Sequence, residues 1–421
     1  MFFLLSGCQQ GRQNSTELRC QQLPGCIAVI VFFGQLRTIA PRNGQSHYTG
    51  PPLMSLPRIS PSIRVRRTPF TRRVEEAGVK AYSVYNRMLI PGYFHSIEED
   101  YAHLKRAVQV WDVSCERQVE IKGPDALALV QMTTPRDLSR MTDDQCYYVP
   151  MVDDEGQILN DPIAIRLAEE RYWLSLADSD MLYYCKGLAM GRDLNVEIFE
   201  PDVSPLAVQG PKSDELIERV FGTDIVETRF FRHKSVNFQG QDMVIARSGW
   251  SHQGGFEIYL DGSQHGEALW DTLFEAGKDL DVRAGCPNLI ERIEAGLLSY
   301  GNDMSIDDTP FESGLAKYCN LDTATGCLGH AALMQKQSPD RQIRPLAVAG
   351  PAVPSISWSW PLTDTAGNAA GHVSSITWSP DFEINVAIAM VRKDHWTAGT
   401  TLHVQTPDGP RAAEVRDSFW I

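Results

Sequence analysis

The sequence predicts an α+β fold that closes with a separate antiparallel β-domain. Strand–helix–strand units recur with hairpins between them, the pattern of helices packed on antiparallel sheet. No GxGxxG follows a strand and no GxxxxGK occurs, so neither a dinucleotide fold nor a phosphate loop is supported. Beyond Lys336 the texture shifts to alternating strands separated by Pro and Gly turns, expected to form a small β-domain or barrel.

In chain order, residues 1–57 show no helical or strand period. They are expected to be a disordered extension, or upstream sequence from a mis-assigned start with Met54 as initiator. Leu5-Ser-Gly-Cys8 resembles a lipoprotein box, but the basic start and longer apolar stretch of a secretory signal are missing. Residues 58–335 hold the α+β part and residues 336–421 the β-domain. Glu98–Val110 has apolar positions at helical spacing with acids in its first turn. Gln118–Lys122 alternates like a strand, and Asp125–Gln131 is the helix after it. Tyr147–Met151, Ile163–Leu167 and Tyr172–Leu176 are predicted strands, with a turn at Asp153–Gln157. Pro205–Gln209 is a short buried strand leading into an amphipathic helix over Asp214–Phe221. Gly266–Ala276 and Asn288–Tyr300 are predicted helices, and strands run from Ile343 to Phe419.

At 421 residues the chain is long enough for two or three domains. A formal net charge of −14 argues against a nucleic-acid partner, because phosphate binding needs a basic face. No apolar run approaches the ~20 residues of a membrane span. Nine dispersed cysteines without CxxC or zinc-like spacing are expected to be reduced cytoplasmic thiols, with no metal site.

The most informative segment is Arg247-Ser-Gly-Trp-Ser-His-Gln-Gly-Gly-Phe-Glu-Ile-Tyr259. Two glycines precede an apolar–carboxylate–apolar strand, and Trp250 lies upstream of Glu257. Glycines let the backbone approach a flat heterocycle, and a carboxylate accepts two adjacent N–H groups such as those on a pterin edge. On its own the segment also fits a plain hairpin with a solvated Glu257.

Other blocks favour the first reading. Trp111-Asp-Val113, Thr134-Pro-Arg-Asp-Leu138, Ile158-Leu-Asn-Asp-Pro162, Glu200-Pro-Asp-Val-Ser-Pro-Leu-Ala-Val-Gln-Gly210 and Cys286–Met304 occur in order. With them the chain resembles the aminomethyltransferase (glycine cleavage T-protein) superfamily from about Arg66 to its end. Within that superfamily it is most similar to the branch that demethylates dimethylsulfoniopropionate (DMSP). The resemblance implies three domains around a central channel: two interleaved α+β domains and a C-terminal antiparallel β-barrel. It implies tetrahydrofolate as co-substrate, without metal, flavin or NAD, acting in a cytoplasmic monomer or homodimer without membrane contact. Residue by residue it implies Glu257 on the pterin edge, Trp250 where relatives usually have tyrosine, Arg292 at the cofactor, and Asp161 as the catalytic carboxylate.

The implied reaction moves a methyl group from a sulfonium sulfur to N5 of tetrahydrofolate. Its leaving group is a neutral thioether, so alignment matters more than acid catalysis. An aromatic wall suits the cation, and Trp250, Tyr82 and Tyr85 are the chosen candidates, with Trp111 and Trp378 also considered. Arg136, Lys80 and Arg87 are candidates for the substrate carboxylate. Arg292 has a competing structural role, pairing with Glu294 or Glu312. The alternatives are demethylation of an amine such as dimethylglycine or glycine betaine, and a non-catalytic folate-binding protein. Trp250-Ser-His-Gln-Gly254 departs from the Tyr-Thr-Gly-Glu of T-protein relatives, which points away from glycine cleavage.

Overall fold

A computed structural model describes residues 62–421, and the expectations for residues 1–57 lie outside the described residues. The first sheet has six strands in the order His233–Phe238, Gln241–Ala246, Gly255–Asp261, Val203–Gln209, Val108–Asp112, Val282–Gly285. Its neighbours run antiparallel except the last pair, which is parallel. One face is covered by the helices Ser213–Phe221 and Gly266–Ala276, which bury Phe70, Leu216, Phe256, Leu269 and Trp270.

The second sheet has five strands in the order Glu197–Phe199, Gln118–Lys122, Arg171–Ser175, Ile163–Ala168, Cys146–Tyr148. The helices Ala126–Thr133 and Met181–Arg192 pack on it through Leu129, Val130, Met181 and Cys185. The two sheets meet through Cys146, Ile165, Trp173, Val203 and Tyr259. The Trp173 and Tyr259 rings lie 6.1 Å apart there. Alternation along Gly255–Asp261 explains the division: Phe256 and Ile258 face the helices, while Glu257 and Tyr259 face the other sheet. Chain order interleaves the two units. Val108–Asp112 serves the first sheet, residues 118–199 build the second, and Val203 returns to the first.

The C-terminal strands close a barrel in the order Arg341–Val348, Ile384–Arg392, Ala369–Ser379, Trp360–Thr363, Thr401–Thr406, Gly409–Val415. Closure removes free sheet edges. Inward-facing Leu346, Trp360, Val373, Ala387, Ala389, Leu402 and Val415 fill it.

Two predicted helices end early. Ser96 caps a helix over Ile97–Leu104 by accepting from the Glu99 N–H at 3.1 Å, but Val108–Asp112 then pairs as a strand. Its residues are all buried, so sheet pairing outweighs a helical spacing that continues past Leu104. The second helix covers only Leu289–Ala295, because Gly296 adopts φ 69° and ends it. A Cβ at Gly296 would stand 2.3 Å from the Phe419 ring, so the glycine also admits the C-terminal segment.

Candidate active site

Glu257 sits in the middle of the first sheet, opposite Ala207 on one neighbouring strand and Ala246 on the other. Two alanines beside it leave the carboxylate uncrowded on that face. Ser248 Oγ donates to Glu257 Oε2, and Tyr259 Oη donates to the same oxygen at 3.3 Å. Oε1 has no hydrogen-bond partner among the described residues. Burial pushes the Glu257 pKa up, and these hydrogen bonds offset part of that rise. A flat donor edge meeting Oε1 would complete its coordination, which is the fit a pterin requires.

The preceding loop is shaped by close approach. Gly249 has φ 153° and Gly255 φ 147°. A Cβ at Gly249 would lie 2.1 Å from Gln209 Nε2, and one at Gly255 2.3 Å from the Val208 carbonyl. The glycines are therefore needed to bring the loop against the strand. Gln209 Nε2 in turn donates to the Ser248 carbonyl at 3.2 Å.

Asp161 follows the short strand Ile158–Asn160, and its Oδ2 accepts a 2.9 Å hydrogen bond from Tyr148 Oη. Burial raises its pKa to about 7 against the opposing effect of the Tyr148 hydrogen bond. Next to these two carboxylates lies Glu116, in the turn between the strands Val108–Asp112 and Gln118–Lys122. Burial first, then the charges of Glu257 and Asp161, push its pKa well above the carboxylate range. Glu116 makes no side-chain hydrogen bond or ion pair among the described residues, while the turn around it is held firmly. Asn86 Nδ2 donates to the Cys115 carbonyl at 3.0 Å, and Arg117 pairs with Glu200 at 2.6 Å. Nothing in the sequence marks Glu116, a single acid in a turn.

Tyr85 joins this group: burial raises its pKa, followed by the charges of Glu116 and Asp161. Tyr82 does not. It packs against the helix-covered core of the first sheet, and the charges that act on it are Glu75, Asp112 and Arg67. Both lie on the strand Ala81–Tyr85, and a spacing of three puts them on opposite faces. The choice of Tyr82 as a cation wall is therefore corrected.

Trp250 lies with the Arg292 guanidinium 5.8 Å from its ring centroid. Arg292 also pairs with Asp303 at 2.8 Å and donates to Ser375 Oγ at 2.5 Å. The sequence-level alternative pairings of Arg292 are corrected accordingly: Glu294 accepts from Tyr101 and Ser379, and Glu312 pairs with Arg341. Asp303 further accepts from Ser374 at 2.7 Å and Ser375 at 2.6 Å, both on the barrel. Arg292 thus ties three parts of the fold together behind the Trp250 ring. Arg87 meets Asp180 at 3.1 Å on the surface, away from the carboxylates.

Residues 70–323 match the model of the GCVT N-terminal domain, and residues 342–420 match that of the glycine cleavage T-protein C-terminal barrel domain. The chain belongs to the glycine cleavage T-protein (aminomethyltransferase) family. It is 57% identical to a dimethylsulfoniopropionate demethylase of Ruegeria pomeroyi over 364 residues, 86% of this chain and 99% of that relative. An aminomethyltransferase of Flavobacterium psychrophilum is 27% identical over 360 residues, 83% of this chain and 98% of that relative. Among solved structures, aminomethyltransferase T of the Bartonella henselae glycine cleavage system matches with a TM-score of 0.77 at 23% identity. It covers 85% of this chain and 98% of its own. The T-protein architecture expected from sequence, with its C-terminal barrel, is the fold observed.

Proposed function

We propose that the chain moves a methyl group from the sulfonium of DMSP to N5 of tetrahydrofolate, giving 5-methyltetrahydrofolate and 3-(methylthio)propanoate. The observation that carries this reading is the near full-length similarity to a DMSP demethylase, and the site chemistry agrees with it. The S–CH3 bond breaks toward sulfur, leaving a neutral thioether, while the N5 lone pair forms the new bond. N5 then carries a proton and a positive charge, and the proton must leave.

In this reading Glu257 Oε1 holds the pterin edge. Asp161 is the proton acceptor: with a pKa near 7 it is ionised often enough to take the proton and basic enough to hold it. Tyr148 fixes the orientation of that carboxylate through Oδ2, leaving Oδ1 for the substrate side. Trp250 and Tyr85 supply aromatic faces for the sulfonium, a contact worth about 0.5–2 kcal/mol. Arg292, held by Asp303 and Ser375, positions the Trp250 ring.

Tetrahydrofolate and DMSP are the small-molecule partners in this reading. Among the described residues no helix is long and apolar enough to cross a membrane, and six cysteines are free thiols. We take the free thiols to support a cytoplasmic site of action. Purified protein incubated with DMSP and tetrahydrofolate is expected to yield both products, measured by liquid chromatography. Turnover of dimethylglycine or glycine without turnover of DMSP would overturn the reading.

A further inference from the structure

Beside the carboxylates a cavity of about 470 Å³ opens between the edge strand Cys146–Tyr148 and the loop Arg229–Arg232. Its walls combine cations with aromatic rings: Arg136, Arg229 and Arg232 with Tyr147, Phe230 and Tyr318. Two wall residues connect it to the site above. Tyr148 is the donor to Asp161, and the Cys146 thiol lies within the electrostatic reach of Glu257.

The cations are unevenly matched with acids. Arg232 pairs with Asp144 at 2.5 Å. Arg136 has no acidic partner among the described residues; it donates to the Tyr148 carbonyl at 2.5 Å and stacks on Tyr147 with 4.1 Å to the ring centroid. Arg229 is exposed and makes neither ion pair nor side-chain hydrogen bond among the described residues. In a chain of net charge −14, such a groove is a local attractor for anions. Phe230, at its lip, is 70% exposed, with Phe231 edge-on to it at 4.6 Å. A large exposed aromatic beside an unpaired arginine is suited to a ligand that carries both an aryl ring and carboxylates.

We propose that this groove binds the p-aminobenzoyl-oligoglutamate tail of tetrahydrofolate, so that the protein prefers polyglutamylated folates. The inference rests on the folate reading of the Glu257 site. The tail leaves the pterin through an aryl ring and then repeats carboxylates, the order in which the groove offers aromatic walls and then Arg229 at its exposed end. The carboxylate of the methyl donor shares the anionic chemistry, but it has no aryl group and would fill only a small part of the cavity.

The test compares tetrahydrofolate carrying one, three and five glutamates, in binding by titration calorimetry without methyl donor and in turnover with DMSP. Wild-type protein is expected to bind the pentaglutamate about three- to tenfold more tightly than the monoglutamate, through a few partly exposed charge pairs. Arg229→Gln is expected to remove most of that advantage, while Lys186→Gln, which changes a surface cation away from the groove, keeps it. Equal affinity for all tail lengths in wild type would overturn the proposal. So would a rise in KM for DMSP, rather than for folate, in Arg229→Gln or Arg136→Gln, because the groove would then hold the donor's carboxylate. Tail-length dependence in binding without DMSP turnover would uphold the groove and reject the proposed reaction. DMSP turnover without tail-length dependence would do the reverse.

Discussion

Tyr148 donates its hydroxyl to Asp161 across 2.9 Å, and that one contact opposes the burial that would otherwise keep the carboxylate neutral. The balance places the Asp161 pKa at about 7, where a group can both take and release a proton. Removing either partner should therefore change chemistry more than binding.

Asp161→Asn is expected to lower kcat by roughly a hundredfold, in the usual range for loss of a general base. Folate affinity should stay within about twofold, since the pterin edge is assigned to Glu257. Stopped-flow turnover and titration calorimetry separate the two quantities. A wild-type rate in the variant would remove Asp161 from the chemistry.

The pH dependence has two signs. Activity should fall as pH drops through about 7, because the ionised Asp161 is the working form. Stability should move the other way. The folded pKa of about 7 exceeds the ordinary 3.8, so the fold favours the protonated acid. That contribution is full below about pH 4 and is lost as pH rises through 7. At pH 8 Asp161→Asn, which never ionises, should therefore unfold at a higher temperature than wild type in calorimetry.

Glu257→Gln keeps the shape but replaces a double acceptor by one oxygen and an NH2. Folate binding is expected to weaken by about ten- to a hundredfold, the cost of one or two charge-assisted hydrogen bonds. Fluorescence titration with Trp250 as reporter measures it. Unchanged affinity would return Glu257 to the plain hairpin reading.

Arg292→Ala leaves Asp303 as a buried charge without its cation, a loss of about 3–5 kcal/mol. Denaturant unfolding should show it, and Arg292→Lys should recover part, since lysine restores the charge but not the fork that reaches Ser375. A loss of folate binding with unchanged stability would make Arg292 a direct ligand instead.

Much of the fold was readable from local pattern. The helix Gly266–Ala276 keeps its predicted bounds because apolar spacing and a following Gly277 agree. The overrun at Glu98–Val110 arose where a helical spacing ran on into residues that the sheet claims. The site was legible where a motif carried it, as with Glu257 and Asp161. Tyr82 and Tyr85 could have been separated by strand parity, but only once that strand was recognised. Glu116 left no signal, because its position beside two other carboxylates exists only after the sheets pack.

The barrel hydroxyls that grip Asp303 and Glu294 lie at residues 374, 375 and 379, near the end of the chain. During synthesis the helix Leu289–Ala295 leaves the ribosome well before them. Until those serines arrive, Arg292 and Asp303 hold each other without their final fastening, and the wall behind Trp250 stays unset. The last quarter of the chain therefore acts as a timing device: a nascent protein acquires a finished folate wall only when translation is nearly complete.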